Sequence, residues 1–150
     1  MPPHKLVENE NLRFDKPFIT LGSGSFGTVY RGSFLGTDGS WHPCAIKLLK
    51  ATDAESVDGE LSALAQLSHA NIVRLIGRVA SAARVGIVTE LLTGGSLHSA
   101  LDSATKENKP PSFATRLRWC TDVGAGLVAM HAAGLVHGVV YKIFCLLFWV

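Results

Sequence analysis

Short apolar and β-branched runs bounded by turn residues fill the first half of the chain. Phe18-Ile19-Thr20-Leu21 predicts a strand, 22–27 a glycine-rich turn, and 28–34 a second strand. Residues 36–40 read as another turn, and 42–49 as a third strand. The period then changes: Val57, Leu61, Leu64 and Leu67 recur at helical spacing and predict a helix over 57–69. Two further apolar runs, 72–79 and 85–92, read as strands before Gly94-Gly95 breaks the pattern. A short helix over 96–104, a loop over 106–111 and a longer helix over 114–131 follow. On the last helix Leu117, Cys120, Leu127 and Met130 form one stripe, and Gly134 is a natural stop. Gly124 and Gly126 inside it each cost roughly 1 kcal/mol against Ala, which reads as room for close packing. Residues 1–13 are polar and read as a flexible leader. Strands, a helix, two strands and then helices make an α+β chain.

Residues 139–150 break this texture: they read VVYKIFCLLFWV, with Lys142 alone not apolar. The run is shorter than the ~20 apolar residues that cross a bilayer, so no membrane partner is expected.

Composition narrows the class. Of 150 residues 47% are apolar and 17% charged, which excludes a disordered polymer. The net charge of +2 comes without a basic stripe, so no nucleic-acid partner is expected. Cys44, Cys120 and Cys145 are scattered, with no Cys-x-x-Cys pair to hold zinc or form a redox dithiol. With no signal-peptide pattern at the N-terminus, the expected setting is the reducing cytoplasm.

Three local features carry chemistry. Gly22-x-Gly24-x-x-Gly27-x-Val29 precedes β-branched and aromatic residues rather than a helix, so the glycines lie in a hairpin. There they either let backbone amides approach phosphate oxygens or serve as an ordinary turn. Lys47 interrupts the apolar strand Ala45-Ile46-Lys47-Leu48-Leu49, either pointing to water or meeting an anion. Glu60, with Leu64 and Leu67 at i+4 and i+7, is the candidate anion or else a solvated acid beside the stripe.

Taken in order, these features resemble the eukaryotic protein kinase domain. Residues 21–29 are similar to its glycine-rich loop, Ala45-Ile46-Lys47 to its nucleotide-anchoring lysine, and 69–75 to the stretch after its regulatory helix. Residues 87–97 look like the gatekeeper, hinge and first large-lobe helix, with Thr89 at the gatekeeper place. Leu135-Val136-His137-Gly138 looks like the start of the catalytic loop, in the flavour of tyrosine-kinase-like serine/threonine kinases. The resemblance implies a small lobe of five antiparallel strands with one regulatory helix, joined to an incomplete helical large lobe. It divides the chain into a leader (1–13), small lobe and hinge (14–92), partial large lobe (93–138) and a non-family apolar tail (139–150). It implies that the glycine loop, with Leu21, Gly22, Gly24 and Gly27, binds ATP and covers its phosphates. Lys47, paired with Glu60, would contact the phosphates, Val29 and Ala45 would roof the base, and Thr89, Glu90 and Leu92 would line the hinge.

The pattern stops after Gly138. Val139 stands where the family expects its catalytic Asp, and no Asp or Glu follows Asp122. No intact catalytic set or metal ligand is therefore expected. Magnesium is implied by the family alone, and ATP binding is expected to be weak or absent. The expected activity of the family is transfer of the ATP γ-phosphate to protein Ser, Thr or Tyr, and this chain is expected not to perform it. The alternative is a non-catalytic fragment that competes for partners of a full kinase through an exposed apolar surface. The tail itself has two readings. Val codons begin GT, as introns do, so a read-through at 138–139 would create the break; a true short chain is the other.

Overall fold

The computed structural model describes residue 7 and residues 9–24, 27–49, 61–62, 64–80 and 85–135. Six strands form one sheet: β1 (Leu12–Phe14), β2 (Thr20–Gly24), β3 (Gly27–Leu35), β4 (Trp41–Leu49), β5 (Leu75–Ala80) and β6 (Val85–Glu90). Two helices follow, α1 (Leu97–Lys106) and α2 (Phe113–Ala132). The sheet runs β1-β3-β4-β6-β5, with β2 also on β3, and every described pairing is antiparallel. The chain divides into two compact units, residues 1–66 with 74–91 and residues 67–73 with 92–150.

The expected α+β small-lobe sheet is present, with one strand more than the five expected. β1 and β2 share the edge of β3: Leu12 pairs with Phe34 and Phe14 with Gly32, while Thr20 pairs with Tyr30. Between them the chain stays tied, the Asp15 N–H donating to the Arg31 carbonyl at 3.3 Å and the Arg31 N–H to the Ile19 carbonyl at 2.9 Å. The stretch read as a flexible leader thus contains packed residues. Val7 and Leu12 are 7% and 8% exposed and join a cluster with Cys44, Ile46, Val79 and Val88. Scattered apolar side chains in a mostly polar stretch carry no period, so only the long-range contact reveals the burial of Val7 and Leu12.

Strand alternation sorts β4. Cys44 and Ile46, both fully buried, point to the Val7–Leu12 side, and Ala45 and Lys47 point to the other. Burying a side chain such as Ile46 is worth roughly 1.5–3 kcal/mol. The Cys44 thiol is pushed up to about 12, first by burial and then by the negative charge of Asp15. Unfolded, it ionises near 8.5. The native state therefore holds this proton where the unfolded state has lost it, and stability falls as pH rises from about 9 toward 12. Urea melts at pH 8, 9.5 and 10.5 should show a steeper decline than in Cys44→Ala, by up to about 1.4 kcal/mol per pH unit. Parallel declines would refute this origin of the pH dependence.

The expected helix over 57–69 lies partly outside the described residues. Residues 61, 62, 64 and 65 are helical, with Leu61 and Leu64 buried. The helix ends before Leu67 because a turn competes: the Asn71 N–H donates to His69 Nδ1 and the Ile72 N–H to the His69 carbonyl, each at 3.1 Å. The same turn delays β5 to Leu75.

Within the second unit, Ser96 and Ser112 cap α1 and α2 by accepting the N–H groups of Ser99 and Thr115 at 3.1 Å. Gly134, at φ +72°, closes α2: its N–H reaches the His131 carbonyl and the Leu135 N–H the Met130 carbonyl. The buried stripe of α2 is Trp119, Gly126 and Met130. The expected stripe is corrected, since Leu117 is 55% exposed and Cys120 is exposed. Trp119 lies about 100° from Cys120 around the helix, and its bulk draws the buried face toward itself. Gly124 has open space at its missing Cβ, so close packing does not account for it. No helix among the described residues is long and apolar enough to cross a membrane.

Candidate functional site

The glycine hairpin is built by register. Thr20 pairs with Tyr30, but Gly22 pairs with Val29, Ser23 with Thr28 and Gly24 with Gly27. The shift is a β-bulge at Leu21, which has no partner of its own and is 46% exposed. Ser23 and Thr28 bridge the strands by their hydroxyls at 3.2 Å. Behind the hairpin Phe14, Phe18 and Tyr30 meet edge to face, with centroids 5.8 to 6.1 Å apart. Such pairs add about 0.5–1.5 kcal/mol beyond area burial. The sequence reading missed this trio, though the aromatic residues flanking the strand were its signal.

Directly opposite residues in an antiparallel pair share a face. Gly27 faces Leu49, Val29 faces Lys47, Lys47 faces Ile87, and Ala45 faces Thr89. Gly22, Gly24, Gly27, Val29, Ala45, Lys47 and Thr89 therefore lie on one face, away from the Val7–Leu12 cluster. Seven of the residues singled out in the sequence are brought together this way.

The three glycines are not equivalent. At Gly27, φ is +144° and an added Cβ would run into the Leu48 carbonyl. At Gly22 and Gly24 an added Cβ would meet nothing within 4 Å, and neither has a positive φ. The fold itself requires glycine at 27. At 22 and 24 it leaves a bare stretch of backbone beside Val29 and Gly27, on the face that also carries Lys47.

Thr89 is buried, and its Oγ1 donates to the Glu90 carbonyl at 3.3 Å. Glu90 is tied to Arg74: its N–H donates to the Arg74 carbonyl at 3.0 Å, and its carboxylate accepts the Arg74 N–H at 2.7 Å. Arg74 Nε lies 3.9 Å from the same carboxylate. This clamp joins the start of β5 to the end of β6, a role the sequence did not disclose because the partners are 16 residues apart. Leu92, two residues past β6, is half-buried. Lys47 is half-buried on its strand, while its expected partner Glu60, like Val139, lies outside the described residues. Among the described residues no group of three His, Cys, Asp or Glu is placed to hold a metal ion.

A bare glycine hairpin, a lysine and a buried threonine on one sheet face can receive a flat apolar group with an anionic extension. Residues 17–147 match the family model described as protein tyrosine and serine/threonine kinase. The match runs nine residues past 138, where the sequence resemblance ended, and so includes part of the stretch read as a non-family tail. The chain is 34% identical over 132 residues to RasGEF domain-containing serine/threonine-protein kinase X of Dictyostelium discoideum, covering 85% of this chain and 12% of that protein. It is 32% identical over 142 residues to the mouse tyrosine-protein kinase Srms, covering 91% and 27%. It is 38% identical over 123 residues to serine/threonine-protein kinase PkaB of Streptomyces coelicolor, covering 78% and 27%. The chain thus spans from about an eighth to about a quarter of the length of these three relatives.

Proposed function

The chain belongs to the protein tyrosine and serine/threonine kinase family, and from that premise we propose that it carries the family's ATP-facing sheet in a form that binds nucleotide weakly or not at all and transfers no phosphate. The family uses ATP and magnesium for phosphoryl transfer to proteins. In this reading the backbone of Gly22, Gly24 and Gly27 covers the phosphates, and Leu21, Val29 and Ala45 enclose the base. Lys47, held by Glu60, contacts the phosphates, and Thr89, Glu90 and Leu92 form the hinge side. A bound magnesium would neutralise phosphate charge.

The observation that carries the proposal is Val139 in place of the catalytic Asp. By the family spacing His-Arg-Asp-x-x-x-x-Asn, Phe144 takes the metal-binding Asn position as well. Calorimetric titration with magnesium-ATP is expected to give millimolar-range binding or none, about −4 kcal/mol or less favourable. Tight, magnesium-dependent binding would overturn the reading.

The exposed side chains of α2 favour a second reading. Phe113, Leu117 and Val128 are 72%, 55% and 69% exposed, an apolar set of the kind that marks an interaction surface. A fragment of this kind would compete for protein partners of a full-length kinase without catalysing anything. Co-purification of a defined partner, lost in a Leu117→Glu/Val128→Glu double variant, would favour it over the first.

A further inference from the structure

Val7 and residues 9–14 cross the sheet on the face opposite Lys47. At one end the Val7 N–H donates to the Arg78 carbonyl of β5 at 2.7 Å. At the other, β1 pairs with β3. In a sheet ordered β1-β3-β4-β6-β5, that path passes over β4 and β6. Beneath it sit Cys44 and Ile46 of β4 and Val88 of β6, all with no exposed surface. We propose that Val7 and residues 9–14 are a strap that opens and recloses over this face as one unit, shielding Cys44 when closed.

The strap is held by little. Its backbone ties among the described residues are the bond at Val7 and a three-residue ladder at β1, whereas β3 and β4 pair over nine residues. Its polar anchor, the Arg13 guanidinium 3.7 Å from the Trp41 ring centroid, lies at the surface, as does the ion pair that follows the strap, Asp15 3.2 Å from Arg31 Nε. Such exposed pairs contribute at most about 1 kcal/mol each. The remaining hold among the described residues is apolar: the buried side chains of Val7 and Leu12, and the half-buried Phe14 at the strap's end, whose ring meets Phe18 and Tyr30. The family match begins at residue 17, so β2 to β6 lie inside the shared domain and the strap lies outside it. Segments with few ties and short ladders open at a lower free energy than the whole fold. Opening uncovers the thiol, which lies fully buried beneath the closed strap. Lys47 is β4's next residue after Ile46, so the strap backs the strand that carries the candidate site.

Cys44 reports the motion. In a Cys120→Ser/Cys145→Ser background it is the sole thiol. Alkylation by iodoacetamide at pH 8 is followed against urea, beside global unfolding by circular dichroism. The expected result is labelling at low urea through an opening with little urea dependence, merging with the global line only near the midpoint. Leu12→Ser should speed the low-urea labelling at least tenfold. Labelling that tracks global unfolding at every urea concentration overturns the proposal, as does an unchanged low-urea rate in Leu12→Ser. Should Leu12→Ser fail to fold, the urea profile of the unsubstituted strap decides alone.

Discussion

Given magnesium-ATP and a generic protein substrate, the 150-residue chain is expected to transfer no phosphate above the level of its Lys47→Ala variant. Restoring the acid alone, as Val139→Asp, is expected to leave it silent. A general base is typically worth 10²–10⁴-fold, and in the proposed reading Val139 stands in its place. The larger deficit is electrostatic. Phosphoryl transfer depends on positioned charge, with metal ions bridging the β- and γ-oxygens. In the proposed reading Phe144 stands at the Asn position and removes one holder of that charge, whatever stands at 139. A radiolabel transfer assay decides the matter. Lys47-dependent transfer by the unmodified chain, or its recovery in Val139→Asp, would overturn the assignment of inactivity.

The second large effect separates the glycines. Gly27→Ala is expected to cost about 3 kcal/mol or more. Backbone strain at φ +144° accounts for roughly 1–3 kcal/mol of this. The Cβ driven into the Leu48 carbonyl adds to it, since backbone on a paired strand cannot move aside. Gly22→Ala and Gly24→Ala should stay within about 1 kcal/mol and could stabilise, since Gly within a strand is itself disfavoured by roughly that amount. Their cost should fall on whatever nucleotide affinity the chain has, because a methyl there occupies the bare face of the hairpin beside Val29. Thermal unfolding of the three variants is the measurement. Equal losses at all three positions would show that the hairpin glycines serve the fold alone.

Much of this was legible locally. The glycine spacing, the lysine within an apolar strand and the run ending in Thr89 each sit in a few consecutive residues, where turn chemistry and apolar runs act. So do both helices of the second unit, whose serine caps and Gly134 stop are short-range signals. What failed to read were contacts without a period. Val7 and Leu12 look like stray apolar residues in a polar leader, and the Arg74–Glu90 clamp joins two strand ends. On α2 the amphipathic count missed Trp119, because a stripe drawn through Leu117 and Cys120 gave no weight to the bulk of one ring.

The sequence by itself determined which residues carry the candidate chemistry, and it determined the family, because those residues recur in order along the chain. It could not determine that they share a face. Side chains alternate along a strand, so a slip of one residue moves a whole set to the opposite side. Continued from Thr20 opposite Tyr30 without interruption, the β2–β3 ladder would set Gly22 opposite Thr28, on the strap side of the sheet. The extra residue at Leu21 shifts the register and turns Gly22 and Gly24 to the side of Val29, Lys47 and Thr89. That choice belongs to the pairing of strands, which the tertiary structure alone decides.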